Sequence, residues 1–513
     1  MASSNSGECP MASKHSRRKA EFGDYQTPLP LARRICAVLR DRGAMPRSIV
    51  EPTCGTGSFL VAGIEAFQDV TDVVGMDVNS QHVAATESAM ATLRGRRRVR
   101  LLVEDFFAAR WGRLLGDLSD PLLVLGNPPW VTNADLGSIG STNLPAKSNF
   151  QHLRGLDAIT GKGNFDISEW MMIRLIELIH TRDATLAMLC KTAVARKVLL
   201  HCWTSHWQLT ADTYPIDATR HFGAAADACL LVVQFSQPVR PADCRVHGEL
   251  KHGPATSLFG YRDGQLLADL ELYETWRHLG GKERYKWRSG IKHDCAKVME
   301  LHTEGRLYRN GLGERVDLEE RYLFPLLKSS DIARDREPEP SRWMLVPQRR
   351  VGEDTSQIRE LAPKTWAYLT RHSSLLDART SSIYRRQPPF SIFGVGDYSF
   401  AQWKVAISGL YKTLRFHAVG PRNGRPAVLD DTCYFIACNE EREARLIARL
   451  LSSPPARGFF SAFVFWDAKR PVTAELLRRL DILRLAREVA AETELGEHLA
   501  AVDRQEQQLL PFA

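Results

Sequence analysis

Six short apolar runs rich in Val, Ile and Leu, at residues 47–50, 72–76, 99–103, 122–125, 185–189 and 229–235, alternate with helix-like stretches. A strand buried on both faces reads as an unbroken apolar run, and helices between such runs cover those faces. The pattern therefore specifies an α/β domain with a mostly parallel sheet. In open sheets of this kind ligands bind beyond the carboxyl ends of the strands, so chemistry is sought just after each run. The 513 residues exceed what one such core supports, and two globular units are expected.

The strand-helix alternation stops near residue 237, where the chain turns polar and carries Pro238, Pro241 and Pro254. The expected organisation is a flexible arm over residues 1–20, the α/β domain over 21–245, a linker over 246–256 and a mixed α+β region over 257–513. In the last region aromatic and basic residues interleave, as in Arg284-Tyr285-Lys286-Trp287-Arg288 and Tyr384-Arg385-Arg386, and a Leu/Arg/Glu-rich helical stretch over 474–500 follows. No apolar run reaches the roughly 18 residues of a membrane span, and the Ser-rich basic start lacks an apolar signal core, so a cytoplasmic protein is expected. Ten cysteines without a Cys-x-x-Cys pair or zinc-ligand spacing read as reduced buried thiols, with no metal. A net charge of +8 favours a polyanionic partner.

Glu51-Pro52-Thr53-Cys54-Gly55-Thr56-Gly57 follows the first run and leads into a helical pattern. Its glycines permit a tight turn and close approach of a ligand to the backbone. Asp77 closes the next run at the spacing of an acidic residue that accepts ribose hydroxyls. A nicotinamide dinucleotide meets the same conditions. With only two glycines there is no third to admit a pyrophosphate, and Glu51 repels phosphate but suits a cationic sulfonium. After the third run, Asp105 is placed to accept from an adenine amino group and Phe106 to lie on the adenine face.

The fourth run ends in Gly126-Asn127-Pro128-Pro129-Trp130. Successive prolines fix the backbone and remove N–H donors, leaving carbonyls and the Asn127 amide oxygen as acceptors. A planar amino group is a poor nucleophile because its lone pair is delocalised. Acceptors on its protons, Asn127 Oδ1 and the Pro128 carbonyl, favour the pyramidal form whose lone pair can attack a sulfonium methyl. No strong base is needed, since a thioether leaves readily and positioning supplies most of the acceleration. Trp130 offers a π-surface for an extruded base, a role that needs no indole N–H.

With these residues the sequence resembles the gamma-class N6-adenine DNA methyltransferases of bacterial restriction-modification systems, over roughly residues 20–245. The resemblance rests on order: Phe22-Gly23-Asp24-Tyr25-Gln26-Thr27-Pro28, then the glycine turn, Asp77, Asp105 and Asn127–Trp130. It implies a class I, Rossmann-like, S-adenosylmethionine-dependent methyltransferase domain followed by a target-recognition domain that binds double-stranded DNA. By it, Tyr25, Thr27 and Pro28 contact the cofactor's methionine part, Gly163-Asn164-Phe165-Asp166 opens the helix after the catalytic loop, and Phe222 helps clamp a flipped adenine. In the second region Trp287, Arg288, Lys292, Arg385 and Arg386 are the candidate DNA contacts. Trp130 stands where Tyr or Phe is commoner, which keeps the stacking surface.

The resemblance further implies a monomer, near the nucleoid, with any cognate restriction endonuclease on a separate chain. Two other acceptors pose the same planar-nitrogen problem: a glutamine amide in a protein and adenine in RNA. The large second region favours DNA over both. A catalytically inactive DNA-binding relative is the reading from another class, and the intact Asn127 and Asp77 argue against it.

Overall fold

The computed structural model describes residues 25–131, 166–235, 241–334 and 341–496, and divides into two compact units, Met1–Leu267 and Ala268–Ala513. The arm over 1–20, Phe22–Asp24 and Gly163–Phe165 lie outside the described residues.

In the first unit all six apolar runs are strands: β1 (Ser48–Glu51), β2 (Asp72–Asp77), β3 (Arg98–Val103), β4 (Leu122–Gly126), β5 (Ala184–Lys191) and β7 (Ala228–Phe235). With β6 (Thr210–Ile216), β8 (Asp243–Val246), β9 (Ser257–Arg262) and β10 (Gln265–Leu267) they form one ten-stranded sheet. Its order is β10-β9-β8-β6-β7-β5-β4-β1-β2-β3. Strands β1 to β5 run parallel, while β7 lies antiparallel between β5 and β6. This is the Rossmann-like sheet that the resemblance implies. Strands β1 and β4 are wholly buried, which is why they read as unbroken apolar runs.

Strand β6 escapes the apolar pattern because Thr-Ala-Asp-Thr-Tyr-Pro-Ile carries an Asp and a Pro. The Asp212 carboxylate is fully buried and is matched in place. Arg42 lies at 2.7 Å, Arg245 at 2.8 Å and His247 Nε2 at 2.8 Å from its oxygens, and the His247 ring stacks on Tyr214 at 4.3 Å.

The boundary expected at 246–256 is corrected. β8 pairs with β6 and β9 pairs with β8, so this stretch is a sheet turn and the first unit runs to Leu267. Prolines and polar residues there mark the outer strands of a sheet and not an interdomain linker. A truncation after Leu267 is accordingly expected to fold and bind S-adenosylmethionine. One after Arg240 removes Arg245 and His247 from buried Asp212 and bares the β6 edge, so it should aggregate or lose about 3 kcal/mol or more. Chemical denaturation of the two fragments compares them; equal stability would contradict the extended boundary.

The second unit contains a four-stranded and a six-stranded sheet with short helices, a mixed α+β arrangement as expected. The helical stretch expected over 474–500 is divided into short helices among the described residues, which end at 496. Ala474–Leu477 ends before Asp481, whose side chain accepts from Leu483 N at 3.0 Å and caps a separate helix, Ile482–Glu488. Among the described residues no helix is long and apolar enough to cross a membrane.

Candidate active site

Beyond the carboxyl ends of β1, β2, β3 and β4 lies a cavity of about 400 Å³. It is lined by Tyr25 and Thr27, by Glu51, Pro52, Cys54 and Gly55 after β1, by Asp77, by Asp105 and Phe106, and by Asn127 and Pro129. The segments singled out from the sequence thus meet at one place. Pro28, Gly57, Pro128, Trp130 and Phe222 do not line it: Pro28 is the N-cap of the helix Leu29–Asp41, and Gly57 is the turn residue before the helix Ser58–Ala66.

The glycine turn is built by side chains from elsewhere. Gly57 sits at φ +83°, and a Cβ there would lie 2.7 Å from Thr86. Gly55, at φ +50°, donates its N–H to Asp77 Oδ2 at 2.9 Å, and Thr56 N donates to Gln26 Oε1 at 2.9 Å. These amides are engaged by protein acceptors, so the turn does not present them to a phosphate, in accord with the two-glycine pattern. Gln26 was missed by motif reading, although it stands between two residues that were named.

Asp77 is anchored at both oxygens. Beside the Gly55 contact, Oδ1 accepts from Asn79 N at 2.8 Å and His82 Nδ1 lies 3.4 Å away. Each oxygen keeps lone-pair capacity for a ribose hydroxyl. We expect Asp77→Ala to weaken S-adenosylmethionine binding by about 1–3 kcal/mol, the range for leaving polar partners unmatched. Titration calorimetry reads this directly, and an unchanged dissociation constant would exclude the ribose role.

Glu51 is almost fully buried, with Oε2 lacking any partner. Burial, with a contribution from nearby Asp77, holds its carboxyl well above the usual carboxylate range. Such a group is relieved by a cation and aggravated by an anion, as a sulfonium ligand requires. Phe106 packs among Phe107, Trp111 and Trp170, with the Trp111 ring centroid 4.9 Å away. Asp105 Oδ1 caps the local turn by accepting from Phe107 N at 2.9 Å while the residue lines the cavity.

Asn127 is fixed by its own amide. Its Nδ2 donates to the Tyr25 carbonyl at 3.1 Å, which fixes the amide orientation, and its Oδ1 is buried without a partner. A buried acceptor left unmatched is costly unless a ligand supplies the donor.

Trp130, Phe222 and Tyr25 come together as a three-ring cluster. The Trp130 and Phe222 centroids are 5.3 Å apart at 76°, and Tyr25 lies 6.2 Å from each. Phe222, on a helix far along the chain, is thereby brought to the catalytic loop. One expectation is revised. The Trp130 indole N–H donates to the Leu189 carbonyl at 3.3 Å, and the ring is 7% exposed. Trp130 is anchored behind the cavity lining, so Trp130→Phe loses an anchor as well as ring area.

In the second unit the candidate DNA contacts divide. Trp287 is 4% exposed and packs in the core against Phe416, which corrects its assignment as a surface contact. Trp287 lies just before the two-residue strand Arg288–Ser289 and its ring joins the core cluster, while neighbouring Arg288 is half-buried with its guanidinium 4.7 Å over Tyr398. Lys292 is paired with Asp294 at 3.0 Å. Arg385 and Arg386 are exposed, and Arg386 adopts φ +62°.

Known proteins resemble this chain over most of its length. The chain is 44% identical over 473 residues to the type II methyltransferase M.NspV of Nostoc, spanning 92% of this chain and 98% of that protein. It is 27% identical over 120 residues to the type II methyltransferase M.XamI of Xanthomonas campestris pv. amaranthicola, 23% of this chain and 22% of that one. Among solved structures, the type IIL restriction-modification enzyme MmeI in complex with DNA superposes with a TM-score of 0.50 at 14% identity, covering 91% of this chain and 66% of the other. No family model matches.

Proposed function

The chain belongs to the type II DNA methyltransferases of restriction-modification systems, and from that premise we propose that it methylates N6 of adenine at a specific site in duplex DNA, by base flipping. S-adenosylmethionine is the cofactor and DNA the substrate. The observation that carries the reading is the buried, unpartnered Asn127 Oδ1, on an amide that is oriented by the Tyr25 carbonyl and lines the cavity.

When bound, S-adenosylmethionine supplies a methyl group on a positively charged sulfur. Glu51, Asp77, Asp105 and Phe106 would hold it. Asn127 Oδ1 and the Pro128 carbonyl would each accept a hydrogen bond from one N–H of an exocyclic amino group, which localises the nitrogen lone pair and aims it at the methyl. The Trp130, Phe222 and Tyr25 rings wall the place where a flipped base would sit. The proton shed by the methylated nitrogen passes to water.

Residues 268–513 are the candidate recognition unit, with Arg288, Lys292, Arg385 and Arg386 as its DNA contacts. We further read the protein as a monomer acting in the cytoplasm at the nucleoid, with its restriction endonuclease encoded separately. Single-molecule sequencing of DNA from cells expressing the protein is expected to show N6-methyladenine at one short motif. Methyl groups on cytosine, or none in DNA with transfer to RNA or protein glutamine, would overturn the adenine assignment.

A further inference from the structure

We propose that Lys191 is a positioning residue for the catalytic loop, acting through the Trp130 carbonyl and held in place by Asp166; this rests on the roles given above to Asn127 and Pro128. The two prolines of Asn-Pro-Pro-Trp have no N–H groups, so the loop cannot be pinned through its own amides at those positions. It must be pinned through carbonyls and side chains, and those need donors and acceptors brought from elsewhere.

Besides the Asn127 bond to the Tyr25 carbonyl, three such ties hold the Trp130–Val131 end of the loop. Lys191, the last residue of β5, places Nζ 3.1 Å from the Trp130 carbonyl and 2.7 Å from Asp166 Oδ2. Ile167 N donates to the Val131 carbonyl at 3.0 Å, and the Trp130 indole N–H donates to the Leu189 carbonyl at 3.3 Å. Asp166 is 6% exposed, and its Oδ1 accepts from Ser168 N at 3.1 Å as the cap of the helix Ile167–Ile179. One carboxylate thus joins the start of that helix to the lysine that holds the loop. Among these ties, the lysine is the charged donor, and charge-assisted hydrogen bonds are about twice as strong as neutral ones. Slack of about 1 Å at reacting atoms can cost on the order of 100-fold in rate.

The test uses the full-length protein with Lys191→Met, Lys191→Arg and Asp166→Asn. Three quantities are read: S-adenosylmethionine affinity by calorimetry, the single-turnover rate on duplex DNA, and hydrogen exchange of the cofactor-bound loop at Trp130 and Val131. Lys191→Met should keep cofactor affinity within about twofold while slowing transfer about 30-fold or more and speeding exchange in the loop. Lys191→Arg, which retains a charged donor, should recover the rate to within about fivefold of the parent. Asp166→Asn, which keeps an oxygen to cap the helix but loses the charge, should fall between the two. A Lys191→Met rate within about threefold of the parent, or unaltered loop exchange, overturns the proposal. So does loss of cofactor binding in step with loss of rate, since that marks a general structural role. If the parent protein methylates an acceptor other than adenine N6, the adenine reading fails while the variant-to-parent ratio and the exchange data still decide the role of Lys191.

Discussion

Asn127→Ala is expected to lower the single-turnover rate of methyl transfer by at least about 100-fold, with cofactor and DNA affinity largely retained. The substitution removes an acceptor whose only assigned use is in the reaction, because Oδ1 has no protein partner and the amide donates to a backbone carbonyl on its other side. Interactions realised chiefly in the transition state raise turnover and leave binding nearly untouched. Asn127→Asp should also fail. A carboxylate lacks the Nδ2 donor to the Tyr25 carbonyl and would add an uncompensated negative charge to the cavity that Glu51 also lines. Rapid-quench measurement of the first turnover separates chemistry from product release. Normal turnover with weakened binding would remove Asn127 from the catalytic role.

The second large effect is on stability and lies far from the chemistry. Asp212→Ala is expected to cost about 3–5 kcal/mol, the range for removing one partner of a buried ion network. It takes the carboxylate from Arg42, whose side chain is 12% exposed and keeps a neutral partner in the Tyr214 hydroxyl, and leaves His247 without the acceptor of its Nε2 proton. The sign of the accompanying pH dependence follows from the carboxyl itself. Burial opposes its ionisation, but the hydrogen bonds from Arg245, Arg42 and His247 outweigh burial and hold it below the usual carboxylate range. A carboxyl depressed in the folded state contributes stability above its unfolded pKa of about 3.9, and that contribution is lost as pH falls through the lower folded value. Denaturation curves of the parent should therefore show an acid-side loss of stability that is smaller in Asp212→Ala. A variant within about 1 kcal/mol of the parent at neutral pH would show the network to be dispensable.

Much of the site is legible without the structure because its chemistry is contiguous in the chain. Asn127-Pro128-Pro129-Trp130 carries its own backbone constraint, and the six apolar runs place that loop, the glycine turn, Asp77 and Asp105 at the same edge of one sheet. These are inferences from neighbours one to four residues apart, and from strand periodicity, which local sequence contains.

What only the tertiary structure decides are contacts between residues far apart in the chain. Gln26 tying down Thr56, Lys191 reaching both Trp130 and Asp166, and Phe222 meeting Trp130 have no local signature. Strand β6 was hidden because an Asp inside a buried strand is unfavourable until Arg42, Arg245 and His247 arrive from separate elements. Trp287 looks like a surface aromatic because it is flanked by basic residues, yet packing against Phe416, far along the chain, puts the ring inside. The sequence by itself determined which functional groups exist and near which strand ends they fall. Folding decided which of them share a charge, a proton or a wall, since those depend on distances of a few ångströms between segments whose separation along the chain carries no such information.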